Sequence, residues 1–519
     1  MNRRSEDSLT VDNSARRWTS EVIRSRYRRK SFRQYHAMIA ERRFVTGQMI
    51  IFDMLPDDVL LEIFNFYVIQ GFRLREKQRI EEWIPLAHVC RRWRNVVLQS
   101  PCHLNLRLLC TPQTPARDIL DIWPPLPLII CDVDHILDDG PSSVDNIIAA
   151  LEHNDRVCQI KLNFFTSSEL EYVMDSVADK PFPELTDLHL GIFKDDRPGP
   201  ILLDSFLGGT APRLQSIHLE DVSFPGLPKL LLSTTHLAEL DLHRIPHSGY
   251  ISPEAMATSL SALRKLRFFR LHFRYPRPRP ALDSRRPRLR PPTRYILPDL
   301  TEIRFKGASE YLEEILARID TPRLNNLNIT FFNQIIFDSP QLFQFVRRGP
   351  TLRTPEKCHI AFSSKAIIVK FPSQTSIFGG LSVEIQCTAP EWQLSSLEQV
   401  CILFLPSVSA LENLYIDEDP ERPPSWQDDI ENTLWLDFLR SFVAVKNLYV
   451  SEEFLPRIGP ALQELVGGRM TEVLPNLENI FLQGFQQWIP LHKGIEKFVA
   501  ARQLTSHPVA VSRWGRRIL

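Results

Sequence analysis

The sequence LTDLHL at residues 185–190 is the first clear copy of a six-residue pattern that recurs along the chain. The other clear copies are LQSIHL (214–219), LAELDL (237–242), LRFFRL (266–271), LTEIRF (300–305), LNNLNI (324–329), LENLYI (411–416), VKNLYV (445–450) and LENIFL (477–482), and VCQIKL (157–162) fits as an earlier member. The last three positions of each copy alternate as in a strand with one buried face. A single unit cannot bury that face, but stacked neighbours form a continuous core.

Helical segments precede several of these strands, among them PEAMATSLSALRK (253–265) and SEYLEEILARI (309–319). Helix and strand alternating at this period predict an α/β fold, namely a solenoid of parallel strands on a concave face. Unrelated strands in an ordinary α/β domain are the alternative, which the number of copies disfavours. Two or three degenerate units are expected between residues 330 and 410, near KCHIAF (357–362) and LEQVCILFL (397–405).

Length and composition exclude several classes of protein. The 519 residues are 43% hydrophobic and 24% charged, which is typical of folded chains, and they exceed one compact core. Basic and acidic residues number 62 each, so no net charge favours nucleic acid or membrane as a partner. No apolar run is long enough for a membrane span, and no secretion signal is evident. A cytoplasmic or nuclear location, or both, is therefore expected.

Motifs for catalysis and metal binding are missing from the sequence. It contains no GxxxxGK[ST], GxGxxG, HExxH or GxSxG motif, and its 19 Gly beside 40 Pro disfavour a phosphate-binding loop. None of the eight Cys forms a Cys-x-x-Cys pair. The acidic segment DVDHILDD (132–139) lacks the Gly and distal Glu of a calcium-binding loop. We therefore expect a protein that is not an enzyme and that binds no metal or cofactor.

Two segments are strongly basic. Residues 1–50 form a polar extension, expected to be poorly ordered or helical, with its densest charge in RSRYRRKSFR (24–33). Residues 274–294 form an insertion with eight Arg and six Pro. Clustered guanidinium groups attract phosphates and acidic surfaces, so nucleic acid or an acidic partner is one interpretation of each segment. A solvated tail and a solvated loop are the favoured interpretations, and a nucleic-acid partner is not expected.

Residues 51–110 follow a different pattern. The segment LPDDVLLEIFNFY (55–67) begins with Pro and two Asp, which suit a first helical turn, and its apolar residues recur on one helical face. The segment LAHVCRRWRNVVLQS (86–100) is predicted as a second amphipathic helix. Helices this short are marginal alone, so their apolar faces either pack inward on the repeats or bind a partner protein.

These two helices resemble an F-box, the module that docks on the Skp adaptor of SCF-type ubiquitin ligases. Leu55 and Pro56 match its opening Leu-Pro, and residues 89–93 match its Val-Cys-x-x-Trp. The segment LNLRLLCTPQTPARDILDIWPPLPL (104–128) is similar to the linking segment of basidiomycete members. The chain therefore resembles fungal F-box proteins with irregular leucine-rich repeats. It departs from them in a longer segment between the helices and in lacking the Trp that commonly follows the closing Pro.

The resemblance implies a small all-helical F-box at 51–110, a connecting segment at 111–150, an irregular leucine-rich-repeat solenoid at 151–505 and a tail at 506–519. It implies a non-catalytic substrate-recognition adaptor that is monomeric within its complex and binds a Skp-type adaptor and, through it, a cullin. The implied adaptor contacts are Leu55, Pro56, Val59, Leu60, Ile63, Phe64, Leu86, Val89, Cys90 and Trp93. The alternative function is a solenoid scaffold or nucleic-acid-associated protein with no link to a ubiquitin ligase.

The repeats also predict a surface for the target protein. The third and fifth positions of each copy face solvent, and in the last three copies they are Asn413 with Tyr415, Asn447 with Tyr449, and Asn479 with Phe481. Strands stacked about 4.8 Å apart would align them as a ladder of amides beside a stripe of rings. Aromatic residues are frequent interface hot spots, so these six residues are the candidate target contacts. The alternative is that the C-terminal tail covers the rings.

Overall fold

The computed structural model describes residues 55–69, 83–121, 123–132, 144–164, 166–192, 199–276, 293–332, 339–349, 352, 356–373, 379–404, 408–424, 431–467, 469–483, 492–505 and 507–514. The chain divides into two units, Met1–Asn105 and Leu106–Leu519. The predicted N-terminal extension and most of the Arg/Pro insertion lie outside the described residues. In the described part, no helix combines the length and the apolar character needed to cross a membrane.

The described part of the first unit contains the helices α1 (Asp57–Ile69), α2 (Trp83–Ala87) and α3 (Arg91–Gln99). Asp57 lies in the first turn of α1, and its Oδ1 accepts a hydrogen bond from Arg92 Nη2 at 2.7 Å. Leu60 and Phe64 are buried, and the ring of Phe64 lies 4.7 Å from that of Trp93. One side of α1 therefore packs against α3.

The prediction of one continuous second helix is wrong. Cys90 has an extended backbone with φ −156° and ψ 172°, so the helix cannot pass through it. Its Sγ accepts a hydrogen bond from the backbone N–H of Trp93 at 3.4 Å. Cys90 is thus the N-cap of α3, and the segment 86–100 forms the end of α2, a break and then α3.

Eighteen strands lie in the described part of the second unit: β1 (Leu108–Cys110), β2 (Leu128–Cys131), β3 (Val157–Phe164), β4 (Asp187–Ile192), β5 (Ser216–Glu220), β6 (Glu239–Ile245), β7 (Phe268–Phe273), β8 (Tyr295–Ile296), β9 (Glu302–Gly307), β10 (Ile319–Asp320), β11 (Asn326–Phe332), β12 (Lys357–Phe362), β13 (Ala366–Pro372), β14 (Gly380–Gln386), β15 (Asn413–Glu418), β16 (Asn447–Ser451), β17 (Asn479–Gln483) and β18 (Ala510–Trp514). Sixteen of them form one sheet, and β8 pairs only with β10. Each of the ten sequence copies forms a strand that runs parallel to its neighbours in this sheet. The prediction of an α/β fold dominated by parallel strands is confirmed.

Helices alternate with the strands of this unit: α4 (Ala116–Leu120), α5 (Val144–Leu151), α6 (Ser167–Asp175), α7 (Leu227–Leu231), α8 (Pro253–Ser261), α9 (Ser309–Leu316), α10 (Pro340–Arg348), α11 (Pro390–Leu403), α12 (Asn432–Arg440), α13 (Leu455–Gln463) and α14 (Lys493–Gln503). The apolar strand positions are buried in the core, as Leu188 and Leu190 of β4 illustrate. The alternate positions form the other face of the sheet, here named the open face. This arrangement is consistent with a leucine-rich-repeat solenoid.

The predicted parallel pattern fails between β11 and β15. The sheet order there is β11-β14-β13-β12-β15, and β13 is antiparallel to both of its neighbours. KCHIAF forms β12 as expected, whereas the prediction of a strand unit at LEQVCILFL is wrong because most of it belongs to helix α11. Leu397, Val400 and Cys401 are buried, and their spacing is that of one helical face.

The sheet is also longer than the solenoid predicted at 151–505. β1 and β2 precede it, within the segments assigned to the F-box and the connection. β18 follows it, within the segment assigned to the tail, and pairs in parallel with β17. Both ends lack the full Leu-x-x-Leu-x-Leu pattern, which is why the pattern alone did not include them.

Candidate functional site

The register of four strands aligns four rings on the open face. β12, β15, β16 and β17 place His359, Tyr415, Tyr449 and Phe481 at equivalent positions. The centroids of successive rings are 4.1, 4.1 and 4.6 Å apart, with interplanar angles of 4°, 7° and 11°. These four residues, here named the ring row, form a continuous stack across the strands.

A ladder of amides runs beside the ring row. Asn447 Nδ2 donates to Asn413 Oδ1 at 3.0 Å, and Asn479 Nδ2 donates to Asn447 Oδ1 at 2.9 Å. Each bond joins one strand to the next, so these side chains stabilise strand pairing. The amide ladder and the ring stripe are both present in the structure, and their role in target binding stays a prediction.

A second polar row lies on the other side of the rings. Ser451 and Gln483 pair in register, two residues beyond Tyr449 and Phe481 on the same strands. Ser451 Oγ and Gln483 Oε1 are buried, and neither has a hydrogen-bond partner among the residues that the structure describes. Buried polar atoms are nearly always paired in folded proteins. Because both atoms are shielded from solvent, a ligand on the open face cannot reach them in this structure.

Two residues of the ring row, His359 and Tyr415, are uncharged at neutral pH. Burial, together with the positive charges of Lys357 and Lys370, lowers the pKa of His359 to about 4. Burial and the neighbouring Tyr449 raise the pKa of Tyr415 to about 12. Lys370 lies opposite His359 in the register, and both lysines are exposed. Two uncharged rings thus lie next to two exposed lysines at the β12 end of the row.

The C-terminal strand lies beside the ring row. β18 pairs with β17 so that Ser512 is opposite Phe481. Tyr415, Tyr449 and Phe481 are half-buried. The backbone of residues 507–514 therefore extends the sheet as a further strand beside the ring row.

A charged cluster occupies the open face farther along the sheet, on β4 to β7. The ring of His218 stacks on that of His189 at 4.0 Å, and its Nδ1 lies 3.0 Å from Asp241 Oδ2. Burial alone would lower the pKa of His218, but hydrogen bonds with Asp241 and Glu220 outweigh it and raise the pKa to about 9. Arg270 Nη1 lies 2.6 Å from the same Asp241 oxygen. Opposite charges are paired within this cluster, so we interpret it as a network that stabilises the sheet.

The predicted adaptor contacts do not share one face of the first unit. The structure buries Leu60, Phe64 and Leu86, half-buries Leu55 and Trp93, and exposes Pro56, Val59, Ile63, Val89 and Cys90. Sequence analysis missed Phe66, which is 63% exposed and continues the helical spacing of Val59 and Ile63. α1 is therefore apolar on two sides, one packed inside the unit and one exposed.

No group of three or more His, Cys, Asp or Glu side chains in the described part of the chain has an arrangement that could hold a metal ion. None of the eight Cys forms a disulfide.

Comparison with known proteins gives little further information. No protein-family model matches the chain, and no curated protein sequence matches it. A similar solved structure is the crystal structure of the leucine-rich repeat-containing protein LegL7 from Legionella pneumophila. It is 13% identical with a TM-score of 0.26, and the similarity covers 76% of this chain and 97% of that chain. A likeness at this level carries no argument about function, which has to rest on the geometry of this chain.

Proposed function

We propose that the chain is the substrate-recognition subunit of an SCF-type ubiquitin ligase. In this proposal the first unit binds a Skp-type adaptor, and through it a cullin, while the open face of the sheet binds a target protein. The chain itself is not catalytic. It acts by proximity, because a tethered target presents its lysines at high effective concentration to a conjugating enzyme.

The observation that carries the proposal is the exposed apolar side of α1. Val59, Ile63 and Phe66 are 39%, 40% and 63% exposed, although Leu60 and Phe64 of the same helix are buried. A helix that is already packed on one side gains nothing within its unit from apolar residues on the other. Such a stripe favours a protein partner. The resemblance of this segment to an F-box gives that partner the identity of a Skp-type adaptor.

The open face supports the second half of the proposal. Its ring row places aromatic side chains, the residue type most common at interface hot spots, on a sheet face that the described tail continues as a further strand. The paired charges on β4 to β7 and the amide ladder hold the same face rigid. A rigid face with half-exposed rings suits recognition of another protein.

The test is co-expression of the chain with the Skp adaptor, followed by pull-down and size-exclusion chromatography. The variant carries Val59→Ser, Ile63→Ser and Phe66→Ser, and the matched control is Tyr172→Ser, which removes a 59% exposed ring from α6 of the other unit. We expect a one-to-one complex with the intact chain and with the control. The triple variant should bind at least about tenfold more weakly, because it removes three apolar contacts.

Circular dichroism decides whether a lost complex reflects a lost fold. All three substituted residues are exposed, so the triple variant should keep the helical signal of the intact chain. A folded triple variant that still binds fully would show that this side of α1 is not the adaptor surface. Failure of the intact chain to bind the adaptor would refute the ligase role and leave a repeat scaffold as the remaining function.

A further inference from the structure

We infer that the ring row binds an extended segment of a target protein that carries an aromatic side chain next to acidic residues. This inference rests on the proposed function, in which the open face holds a target. It adds the chemical class of that target and the residues that select it.

The geometry of the stack limits what can lie on it. The inner faces of Tyr415 and Tyr449 are covered by their neighbours at centroid distances of 4.1 to 4.6 Å. Only the ring edges are therefore open to a ligand. Ring edges carry the positive end of the aromatic quadrupole, so they attract the face of another aromatic ring or a carbonyl oxygen. The row is long enough for about four residues of extended chain.

Charge at the β12 end selects acidic residues. Lys357 lies two residues before His359 on β12, and Lys370 lies opposite His359 on β13. Both lysines are exposed, and the structure shows no ion pair for either of them within the described residues. An acidic side chain placed there would meet two cations and a neutral imidazole. The acidic residues of the target are thus assigned to the His359 end, and its aromatic residue to the Tyr449 and Phe481 end.

The same geometry disfavours single-stranded nucleic acid. Bases bind protein rings by stacking on their faces, and the faces of the two central rings are already used. Nucleic acid is therefore an alternative that the experiment has to exclude.

The test selects a phage-displayed library of short random peptides on the intact chain and, in parallel, on Tyr449→Ser. We expect enriched peptides that combine an aromatic residue with Asp or Glu, and we expect no such enrichment on the variant. The best peptide, labelled for fluorescence anisotropy, should lose at least about tenfold in Kd against Tyr449→Ser. The double variant Lys357→Ser and Lys370→Ser should lose the preference for acidic peptides and keep the preference for aromatic ones.

Two further variants control for the fold of the surface. Tyr449→Phe keeps the stack and should bind like the intact chain. Phe268→Ser removes another half-buried ring from the open face, on β7 and outside the ring row, and should leave the Kd unchanged. Loss of binding in Phe268→Ser would mean that general damage to the sheet explains the effect, which would overturn the assignment to the ring row.

Several results would overturn the inference: no enrichment on the intact chain, enrichment that survives Tyr449→Ser, or enriched peptides without aromatic or acidic residues. Binding of a labelled oligothymidine that depends on Tyr449 and displaces the peptide would assign the row to nucleic acid. Adaptor pull-down with the intact chain, run beside the peptide selection on the same protein, separates this inference from the proposed function. If the adaptor binds and the peptides do not, only the inference fails; if the adaptor does not bind, the ligase role fails whatever the peptides do.

Discussion

Replacing Asp132 by Asn should stabilise the second unit, and more so at higher pH. Asp132 follows β2, is 2% exposed, and accepts a hydrogen bond from the backbone N–H of Asn163 at 2.6 Å. Burial raises the pKa of Asp132 from its ordinary 3.8 to about 7, and the hydrogen bond from Asn163 only partly opposes this. At neutral pH the chain therefore folds with a buried carboxyl group that resists ionisation.

The sign and size of the effect follow from the two pKa values. A carboxyl group with a higher pKa in the folded chain destabilises the fold as pH rises from the unfolded pKa, near 3.8, to the folded pKa, near 7. At about 1.36 kcal/mol per pKa unit, the penalty is about 2 kcal/mol at pH 5 and about 4 kcal/mol at pH 8. Asn cannot ionise, and its Oδ1 can still accept the Asn163 N–H. The variant should therefore gain about 2 kcal/mol over the intact chain between these two pH values.

Urea unfolding followed by circular dichroism at pH 5 and pH 8 measures this difference. Asp132→Ala is the matched control, because it also removes the ionisable group but leaves the Asn163 N–H without its acceptor. Relative to the intact chain, the free energy of unfolding of Asp132→Ala should rise by the same amount between pH 5 and pH 8 as that of Asp132→Asn. At both pH values it should also be lower than that of Asp132→Asn by a constant of about 1–3 kcal/mol. Equal changes in the free energy of unfolding for Asp132→Asn at pH 5 and pH 8 would refute the reasoning.

Three further predictions concern stability. Phe64→Ala should lower the free energy of unfolding of the first unit by about 3–5 kcal/mol in chemical denaturation, whereas Phe66→Ala should change it by no more than about 0.5 kcal/mol. The stabilisation from protonated His218 should be complete below pH 6.5 and lost as pH rises through about 9, so the deficit of His218→Gln in urea unfolding should shrink across that window. Tyr311→Phe should cost about 1–2 kcal/mol in the same assay, because the buried hydroxyl donates to the carbonyl of Ile251 at 2.9 Å.

The parallel sheet could be predicted because its signal is local. Within each Leu-x-x-Leu-x-Leu copy, apolar residues alternate with other residues as in a strand. Each strand begins at or close to the residue that the pattern indicates, as Asp187 and Asn413 show. β13 carries the same alternation, yet nothing within its residues specifies an antiparallel direction. Strand direction depends on which neighbours the chain reaches through short connections, and the pattern of one strand holds no information on that.

The candidate site shows the same limit. The three Asn and aromatic pairs align because their units follow one another in the chain and pair in that order. His359 joins the stack only because β12 pairs with β15, although β13 and β14 lie between them in the sequence. The alternation in KCHIAF predicted the strand, and the non-local strand order decided its neighbour. No spacing rule could have placed His359 beside Tyr415.

The helical pattern of α1 predicted apolar residues but not which of them are covered. Val59 and Leu60 are adjacent in the chain, yet the structure buries the second and leaves the first exposed. Helical periodicity assigns residues to faces, whereas burial depends on the partner element that the face meets. For this reason the adaptor contacts inferred from the resemblance include residues packed inside the unit as well as residues of the exposed stripe. Only the structure distinguishes the two groups. Substitution of the exposed residues tests binding, whereas substitution of the buried residues tests folding.

Stacking within the ring row also bears on how the row would recognise a target. A side chain held between two neighbours at about 4 Å has little rotamer freedom left to lose when a ligand arrives. Lys357 and Lys370, by contrast, are exposed and keep long mobile side chains. Charges of this kind mainly steer association and are screened by salt, whereas ordered rings contribute to the lifetime of the complex. Added salt should therefore slow association with an acidic peptide and leave its dissociation rate nearly unchanged, while loss of Tyr449 should accelerate dissociation.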